Sequence, residues 1–286
     1  MKRTNEIGEN EIRVIGGDAV SRRRWPWWLW AAVTAVVAVG VVFFLSRTHR
    51  DGTAGAAAPE TAEAMPVGDG LVWLTNSDAS LPCATLDRDT VVDSIRLQIL
   101  TPVNAVPELH VGPLDAADEG IVLAAMAADV RRDNGRIVGA YVCAGEPLSW
   151  GLSKKGYCAI IHDSLTLGKA ENSPLFERAT DEGGYFFRQY AAVAAGAAVH
   201  NNPENRSMRR ALCMFGDRVC VVGTEERVLM DEFCVALEHL GVREAILLVG
   251  GTATAWWRDA EGQLHWLGKR WENPPKYSNY ILFRAQ

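Results

Sequence analysis

The 286-residue chain lacks a long basic stripe and carries a formal charge of -6. Nothing in it is suited to the phosphate backbone of a nucleic acid, and no such partner is expected. It has no CxxC pair and no Cys/His spacing of the kind that holds zinc, so no metal site and no cofactor are expected. No internal repeat stands out, which excludes a solenoid or array. The absence of charge between Trp25 and Leu45 is of a different kind, because it is confined to one stretch.

That stretch, WPWWLWAAVTAVVAVGVVFFL, is 21 residues long. As a helix it would span roughly 31 Å, about the hydrocarbon thickness of a bilayer. Trp25, Trp27, Trp28 and Trp30 cluster at one end, where an interfacial aromatic belt belongs. Residues 1–24 are polar and end in Arg22-Arg23-Arg24, which outweigh Arg47 and Arg50 on the other flank. The N-terminus is therefore expected in the cytoplasm and the remainder on the outer side of an inner membrane. The run is longer than a signal-peptide core, and the nearest small-residue site, Ala54-Gly55-Ala56, lies too far beyond Leu45 for cleavage. The expectation is an uncleaved anchor. Residues 46–70 are small, polar and Pro/Gly-containing, and read as a flexible tether.

All six cysteines (Cys83, Cys143, Cys158, Cys213, Cys220 and Cys234) fall after the anchor. Disulfides are permitted there but not demanded, since a domain of 71–286 is large enough to hold itself together. Most of these cysteines sit among apolar neighbours, which equally suits buried small hydrophobes.

From Leu71 the texture becomes globular. Ser94–Leu100 alternates like a strand and stops at Thr101-Pro102. Glu108–Val111 is a second short strand. The Asn134-Gly135 turn signal favours an antiparallel pair, Gly120–Val130 with Arg136–Cys143. Tyr157–Ile161 follows. A hairpin around Gly216-Asp217 would set Cys213 opposite Cys220, a separation compatible with a bridge. Asp231 is placed to cap a helix whose apolar face is Phe233, Ala236, Leu237 and Leu240, with Gly241 as its stop. Strand, helix and strand from Val219 to Val249 form a crossover unit. Another hairpin turns through Asp259–Gly262, and Tyr277–Phe283 is the last strand. The fold class expected is α+β, a mixed and mainly antiparallel sheet with few helices.

The stretch Ala245–Trp257, AILLVGGTATAWW, reads as buried strand, tight loop, second strand. Gly250-Gly251 allows close approach of the backbone at the strand's carboxyl end, where ligands often sit; a plain turn is the simpler alternative.

The order of GGYFF, an Asn201-Asn202 turn, SMRRALCMFGDRVCVV, DEFCVALEHLGVREAILLVGGTATAWW and SNYILF resembles the phosphodiester glycosidase family. The anchored, Ala-rich form looks like a bacterial envelope member. The resemblance implies hydrolysis of a sugar 1-phosphodiester at the anomeric carbon, with a phosphorylated glycan as partner. Such a reaction needs cations or amide donors for the phosphate and a carboxylate near the oxocarbenium-like centre.

On that resemblance Asp181 and Glu182 match the position just before the family's Tyr/Phe-Phe motif, and Glu182 is the first candidate acid or base. His162-Asp163 follows a strand and makes Asp163 a further catalytic candidate. Arg209 and Arg210 lead into a strand, so they point to opposite faces and one of them would reach a phosphate. Gly250, Gly251 and Thr252 match the family's glycine-rich loop. Asn202 and Asn279 match its asparagine positions. Tyr185 and Phe186 suit either stacking on a sugar ring or a place in the core.

One position departs from the family. Where it commonly reads Asp-Gly-Gly, this chain has Val249-Gly250-Gly251. A valine neither gives a proton nor carries charge. Two functions therefore follow: an anchored glycosyl-phosphodiester hydrolase, or a catalytically silent phospho-sugar-binding or envelope assembly protein on the same fold.

Overall fold

The computed structural model describes residues 72–73, 76–162, 164–201, 203–215, 218–270 and 278–285. All belong to one compact unit, Pro66–Gln286. The anchor Trp25–Leu45, the tether 46–70, and Asp163, Asn202 and Tyr277 lie outside the described residues. No described helix is long and apolar enough to cross a membrane.

In chain order the strands begin with β1 (Val72–Trp73), β2 (Ala84–Val92), β3 (Ile95–Val103), β4 (Ala105–Val111), β5 (Ile121–Met126) and β6 (Ala140–Cys143). Next come β7 (Glu146–Trp150), β8 (Gly156–Ile161), β9 (Ser164–Lys169), helix α1 (Leu175–Asp181), β10 (Tyr185–Gln189), β11 (Ala191–Ala194) and β12 (Ala197–Ala198). The chain closes with β13 (Arg210–Phe215), β14 (Arg218–Gly223), helix α2 (Met230–Leu240), β15 (Val242–Leu247), β16 (Ala255–Arg258), β17 (Leu264–Leu267) and β18 (Asn279–Ala285).

These strands form three sheets, ordered β1-β9-β8-β10-β6-β7, β12-β11-β15-β13-β14-β3-β2 and β17-β16-β5-β18-β4. Every strand pairing described is antiparallel. With two helices among the described residues, the architecture is α+β, built as three sheets rather than one.

Side-chain alternation explains the layering. Leu212 and Met214 on β13, Cys158 and Ile160 on β8, and Ile281 and Phe283 on β18 all enter one central core. The intervening residues face outward and are covered separately. Ala211 and Cys213 pack with Phe233, Ala236 and Leu237 of α2. Tyr157, Ala159 and Phe186 pack with Leu175 and Ala179 of α1. Leu282 packs with Trp256. Strands covered on both faces are apolar at every position, which is why runs such as RALCMF show no alternation in sequence.

Helix α2 ends as expected, at Gly241 in the left-handed region with φ 92. Its start is shifted. Leu229 occupies the cap position, where its N–H donates to the Glu232 carboxylate at 3.0 Å. Asp231, the expected cap, instead accepts the Asn201 N–H at 3.0 Å. The crossover is present with one strand between its arms: β14 and β15 each pair antiparallel with β13 and so run parallel to each other. The β16–β17 hairpin also forms, with Arg258 opposite Leu264.

Three sequence expectations are corrected. Strand β3 does not stop at Thr101-Pro102 but continues to Val103. Its pairing with β14 covers Gln98–Leu100, so Pro102 meets only β2 and its missing N–H breaks no ladder on the other side. Strand β4 starts at Ala105 and tolerates Pro107 because it lies at a sheet edge. The Asn134-Gly135 turn closes only an isolated bridge, Val130 to Ile137, and the strands that flank it join different sheets. A local turn signal carries no information about which sheet each arm will enter.

Cys213 does lie opposite Cys220, yet all six cysteines are free thiols. The Thr224 N–H donates to the Arg209 carbonyl at 2.9 Å, so counting by twos makes Cys213–Cys220 a hydrogen-bonded pair of the ladder. Such pairs hold their Cβ atoms wider than the ~3.8 Å typical of a disulfide. Both thiols are buried, and burial raises the Cys213 pKa well above the ordinary thiol value. Alkylation of the native protein followed by mass spectrometry is expected to label at most the half-buried Cys83 and Cys143. Cys158, Cys213, Cys220 and Cys234 should react only after unfolding, and a Cys213–Cys220 cross-link in the mass spectrum would contradict this register argument.

Candidate functional site

Buried polar side chains gather at one end of the central core. Lys154, Arg188, Gln189, Arg210, Thr254, Ser278 and Asn279 are all buried, and all lie at or beside strand ends. Backbone bonds stitch those ends together. Leu247 donates to Tyr190 at 2.8 Å, Leu248 to Arg210 at 2.8 Å, and Val249 to Met126 at 3.1 Å. Met126 in turn donates to Thr254 at 3.2 Å, and Ala127 to Asn279 at 3.1 Å. The ends of β5, β10, β13, β15, β16 and β18 therefore meet in one place.

Arg210 opens β13 and shares the inward parity of Leu212 and Met214. It is 2% exposed. Its Nη1 donates to the carbonyls of Val249 and Ala253, each at 3.2 Å, while its Nε has no partner. No carboxylate among the described residues pairs with it. Burial pushes its pKa down to about 10, which leaves it a cation at neutral pH. The loop 248–254 thus wraps a buried positive charge with its carbonyls.

A second buried cation precedes β8. The Lys154 ammonium donates to the Asp129 carboxylate and, at 2.6 Å, to the Gln189 side-chain oxygen. Burial lowers the Lys154 pKa, and Asp129 acts against that shift. Asp129 keeps 26% of its side chain exposed. The Arg188 guanidinium fastens the incoming segment by donating to the carbonyls of Lys154 at 2.8 Å and Ala170 at 2.9 Å.

Gly250 and Gly251 are half-buried, and Thr252 is exposed at the loop's crest. Close approach explains Gly250: a Cβ there would overlap the Met208 carbonyl oxygen. Gly251 adopts φ 61 and donates its N–H to that same carbonyl at 2.8 Å. The loop is thereby anchored to the residues just before β13. Asn279 is fully buried, and its side chain is spent on the backbone of Ala128. Its side-chain oxygen accepts the Ala128 N–H at 2.7 Å, and its amide donates to the Ala128 carbonyl at 2.9 Å.

The structure brings Arg210, Gly250, Gly251, Thr252 and Asn279 to one end and leaves the other described candidates elsewhere. Arg209 points to the opposite face, donating through Nε to the Val228 carbonyl at 3.3 Å and through Nη2 to the Asn205 carbonyl. Asp181 ends α1, and Glu182 follows it at the far end of β10 from Gln189. Four residue steps along that strand amount to roughly 13 Å. Glu182 accepts from Arg178 Nε at 2.9 Å and lies 3.5 Å from exposed His162; the Arg178 hydrogen bond lowers its pKa. Tyr185 sits at this same far end, half-buried against the central core, and Phe186 is fully buried beneath α1.

Asp129, Lys154 and Gln189 were not singled out by sequence. The one available signal was positional: Asp129 is a carboxylate that directly ends the apolar run Ile121–Ala128. No group of three or more His, Cys, Asp and Glu side chains among the described residues is arranged to hold a metal ion.

Asn279→Ala should cost about 2–4 kcal/mol, because it strands a buried N–H and a buried carbonyl of Ala128. Gly250→Ala should cost about 1–3 kcal/mol through overlap with the Met208 carbonyl. Urea unfolding midpoints of the two variants check both values.

No protein-family model matches the chain, and no curated protein matches it in sequence. Among solved structures, the chain is similar to the zebrafish N-acetylglucosamine-1-phosphodiester alpha-N-acetylglucosaminidase catalytic domain, auto-inhibited by pro-peptide. The TM-score is 0.53 at 14% identity, over 76% of this chain and 88% of that one. A hypothetical protein from Synechocystis superposes with a TM-score of 0.49 at 13% identity, over 70% of this chain and 62% of that one. At these identities the likeness to the zebrafish domain is one of fold. The described domain has a fold related to that of a phosphodiester glycosidase catalytic domain.

Proposed function

We propose that this protein is a membrane-anchored, extracytoplasmic hydrolase that cleaves a sugar 1-phosphodiester, with its chemistry at the polar end of the central core. The observation that carries this reading is the buried Arg210 cation held under the glycine loop by the Val249 and Ala253 carbonyls, with the Lys154–Asp129 pair at the converging end of β10. The related fold and the uncharged Trp25–Leu45 run behind Arg22–Arg24 support the rest.

The reaction breaks the bond between the anomeric carbon and the bridging oxygen, and water supplies the new hydroxyl. The phosphomonoester leaves as a stable anion, so the strong acid needed for an ordinary glycoside is less necessary. The buried Arg210 cation, with no carboxylate partner among the described residues, makes this end electropositive, as an anionic leaving group requires. Asp129, paired with the Lys154 ammonium, either supports the oxocarbenium-like centre or takes the proton from water. The loop's exposed crest, with the Thr252 hydroxyl and backbone N–H groups, orients the substrate.

A second reading rests on Val249, which sits half-buried at the start of the loop and carries no ionisable group. With Asp129 held by Lys154, the same end would bind a phospho-sugar without cleaving it.

Purified full-length chain incubated with UDP-N-acetylglucosamine and simple sugar phosphodiesters should release free sugar. Asp129→Asn should lower that release by about 10²–10⁴-fold, the usual scale for a lost acid–base group. Glu182→Gln, at the other end of β10, tests the location: loss there with activity kept in Asp129→Asn would move the chemistry away from the polar end. Phosphodiester binding without any release would favour the silent reading.

A further inference from the structure

The chain is acidic as a whole, yet residues 131–136 hold three arginines against one aspartate. Arg131, Arg132 and Arg136 are all exposed. Arg131 Nε lies 3.3 Å from the Asp133 carboxylate, and among the described residues neither Arg132 nor Arg136 pairs with a carboxylate. These residues form the tip of a hairpin that starts at Asp129. It leaves β5 through Ala128, whose backbone Asn279 holds, and enters β6 past Gly139, where a Cβ would press on Arg188 at 3.3 Å. Since β5 and β6 belong to different sheets, the hairpin spans the seam between them at the polar end.

Backbone bonds fix which side chains share a face. The Val138 N–H donates to the Asp129 carbonyl and the Arg131 N–H to the Arg136 carbonyl, each at 2.8 Å, on either side of the Val130–Ile137 bridge. Ile137 packs against the central core. Alternation puts Asp129, Arg131 and Arg136 on the other face. Arg131 is directly across from Arg136, and two residues, roughly 6.7 Å, from Asp129. Like charges opposed across a ladder are destabilising, so the pair weakens the hairpin unless an anion lies between them. The backbone beneath is firm. The Gly135 N–H donates to the Arg131 carbonyl at 2.8 Å, the Arg136 N–H to the Asn134 side chain at 3.0 Å, and the Ser149 hydroxyl to the Ile137 carbonyl at 3.2 Å. A fixed backbone lowers the ordering cost of binding.

We infer that Arg131 and Arg136 bind a second phosphate of the substrate, so that the sugar is carried on a diphosphate rather than on a lone phosphodiester. This rests on the polar-end site proposed above and extends it past the phosphate next to the sugar. A guanidinium presents a planar fork of donors that matches two oxygens of one phosphate, and two such forks face each other here. An anionic bilayer is a poorer match. Lipid-binding segments carry a larger basic cluster, whereas the exposed tip of this hairpin holds Asp133 and Asn134.

The test titrates the full-length chain calorimetrically with inorganic pyrophosphate and inorganic phosphate. Wild type should bind pyrophosphate the more tightly, and less so as salt is raised. Arg131→Gln with Arg136→Gln should narrow that preference by about five- to tenfold, the scale of two exposed ion pairs, and lysine at both positions should restore part of it. Equal pyrophosphate affinity in wild type and the glutamine double variant would overturn the second phosphate site. So would a wild type without preference for pyrophosphate, or a defect confined to phosphatidylglycerol vesicles. A preference that depends on both arginines, with no sugar released from UDP-N-acetylglucosamine, would overturn the hydrolase reading and leave the second phosphate site standing. Sugar release with a KM for UDP-N-acetylglucosamine unmoved by the double variant would overturn the second phosphate site alone.

Discussion

The whole arrangement depends on a guanidinium buried without a carboxylate partner among the described residues. Removing Arg210 from water costs several kcal/mol on the usual scale for a buried ion, and among the described residues the carbonyls of Val249 and Ala253 offset this. Those carbonyls can face inward only because Gly250 and Gly251 let the loop fold tightly against Met208. The charge and the glycine pair therefore explain each other. A hydrophobic side chain at 210 would have served the core as well, so the retained cation points to a demand from outside the fold.

The three-sheet plan supplies the setting. Each sheet gives one face to the central core and has the other covered, by α1, by α2 or by the Trp256 cluster. Strand ends from all three sheets then converge, and a polar end is the natural consequence because backbone groups leaving a ladder need new partners. Asn279 meets that need for Ala128, and Thr254 for the Lys269 carbonyl at 2.6 Å. Lys154 and Asp129 exceed it, since they satisfy no stranded backbone group.

Much of the fold was legible in the sequence where signals are local. The apolar face of α2, its stop at Gly241, the β13–β14 hairpin and the close approach at Gly250 all follow from residue type and spacing. What escaped was set by long-range pairing. The Asn134-Gly135 signal does not reveal that β5 and β6 part into different sheets, and Pro102 reads as a breaker until β14 is seen to end before it. The candidate site divides the same way. Arg210 and the glycine loop are readable because a charge or a glycine pair inside an apolar run is conspicuous. Lys154 and Gln189 lie in ordinary polar contexts, and only the pairing of β10 with β8 carries them to the core's end. Glu182 drew notice for its place before two glycines, yet the direction of β10 takes it to the opposite end.

The position of β18 bears on how the molecule comes into being. The last strand in sequence is an interior strand of its sheet, paired with β4 on one side and β5 on the other. Ala285 lies opposite Ala105, so almost the whole domain must be synthesised before β4 gains its only partner. Until then two apolar ladders stay open, and the Ala128 backbone waits for Asn279. β18 therefore closes its sheet from within, and losing it would open two ladders at once where losing an edge strand opens one.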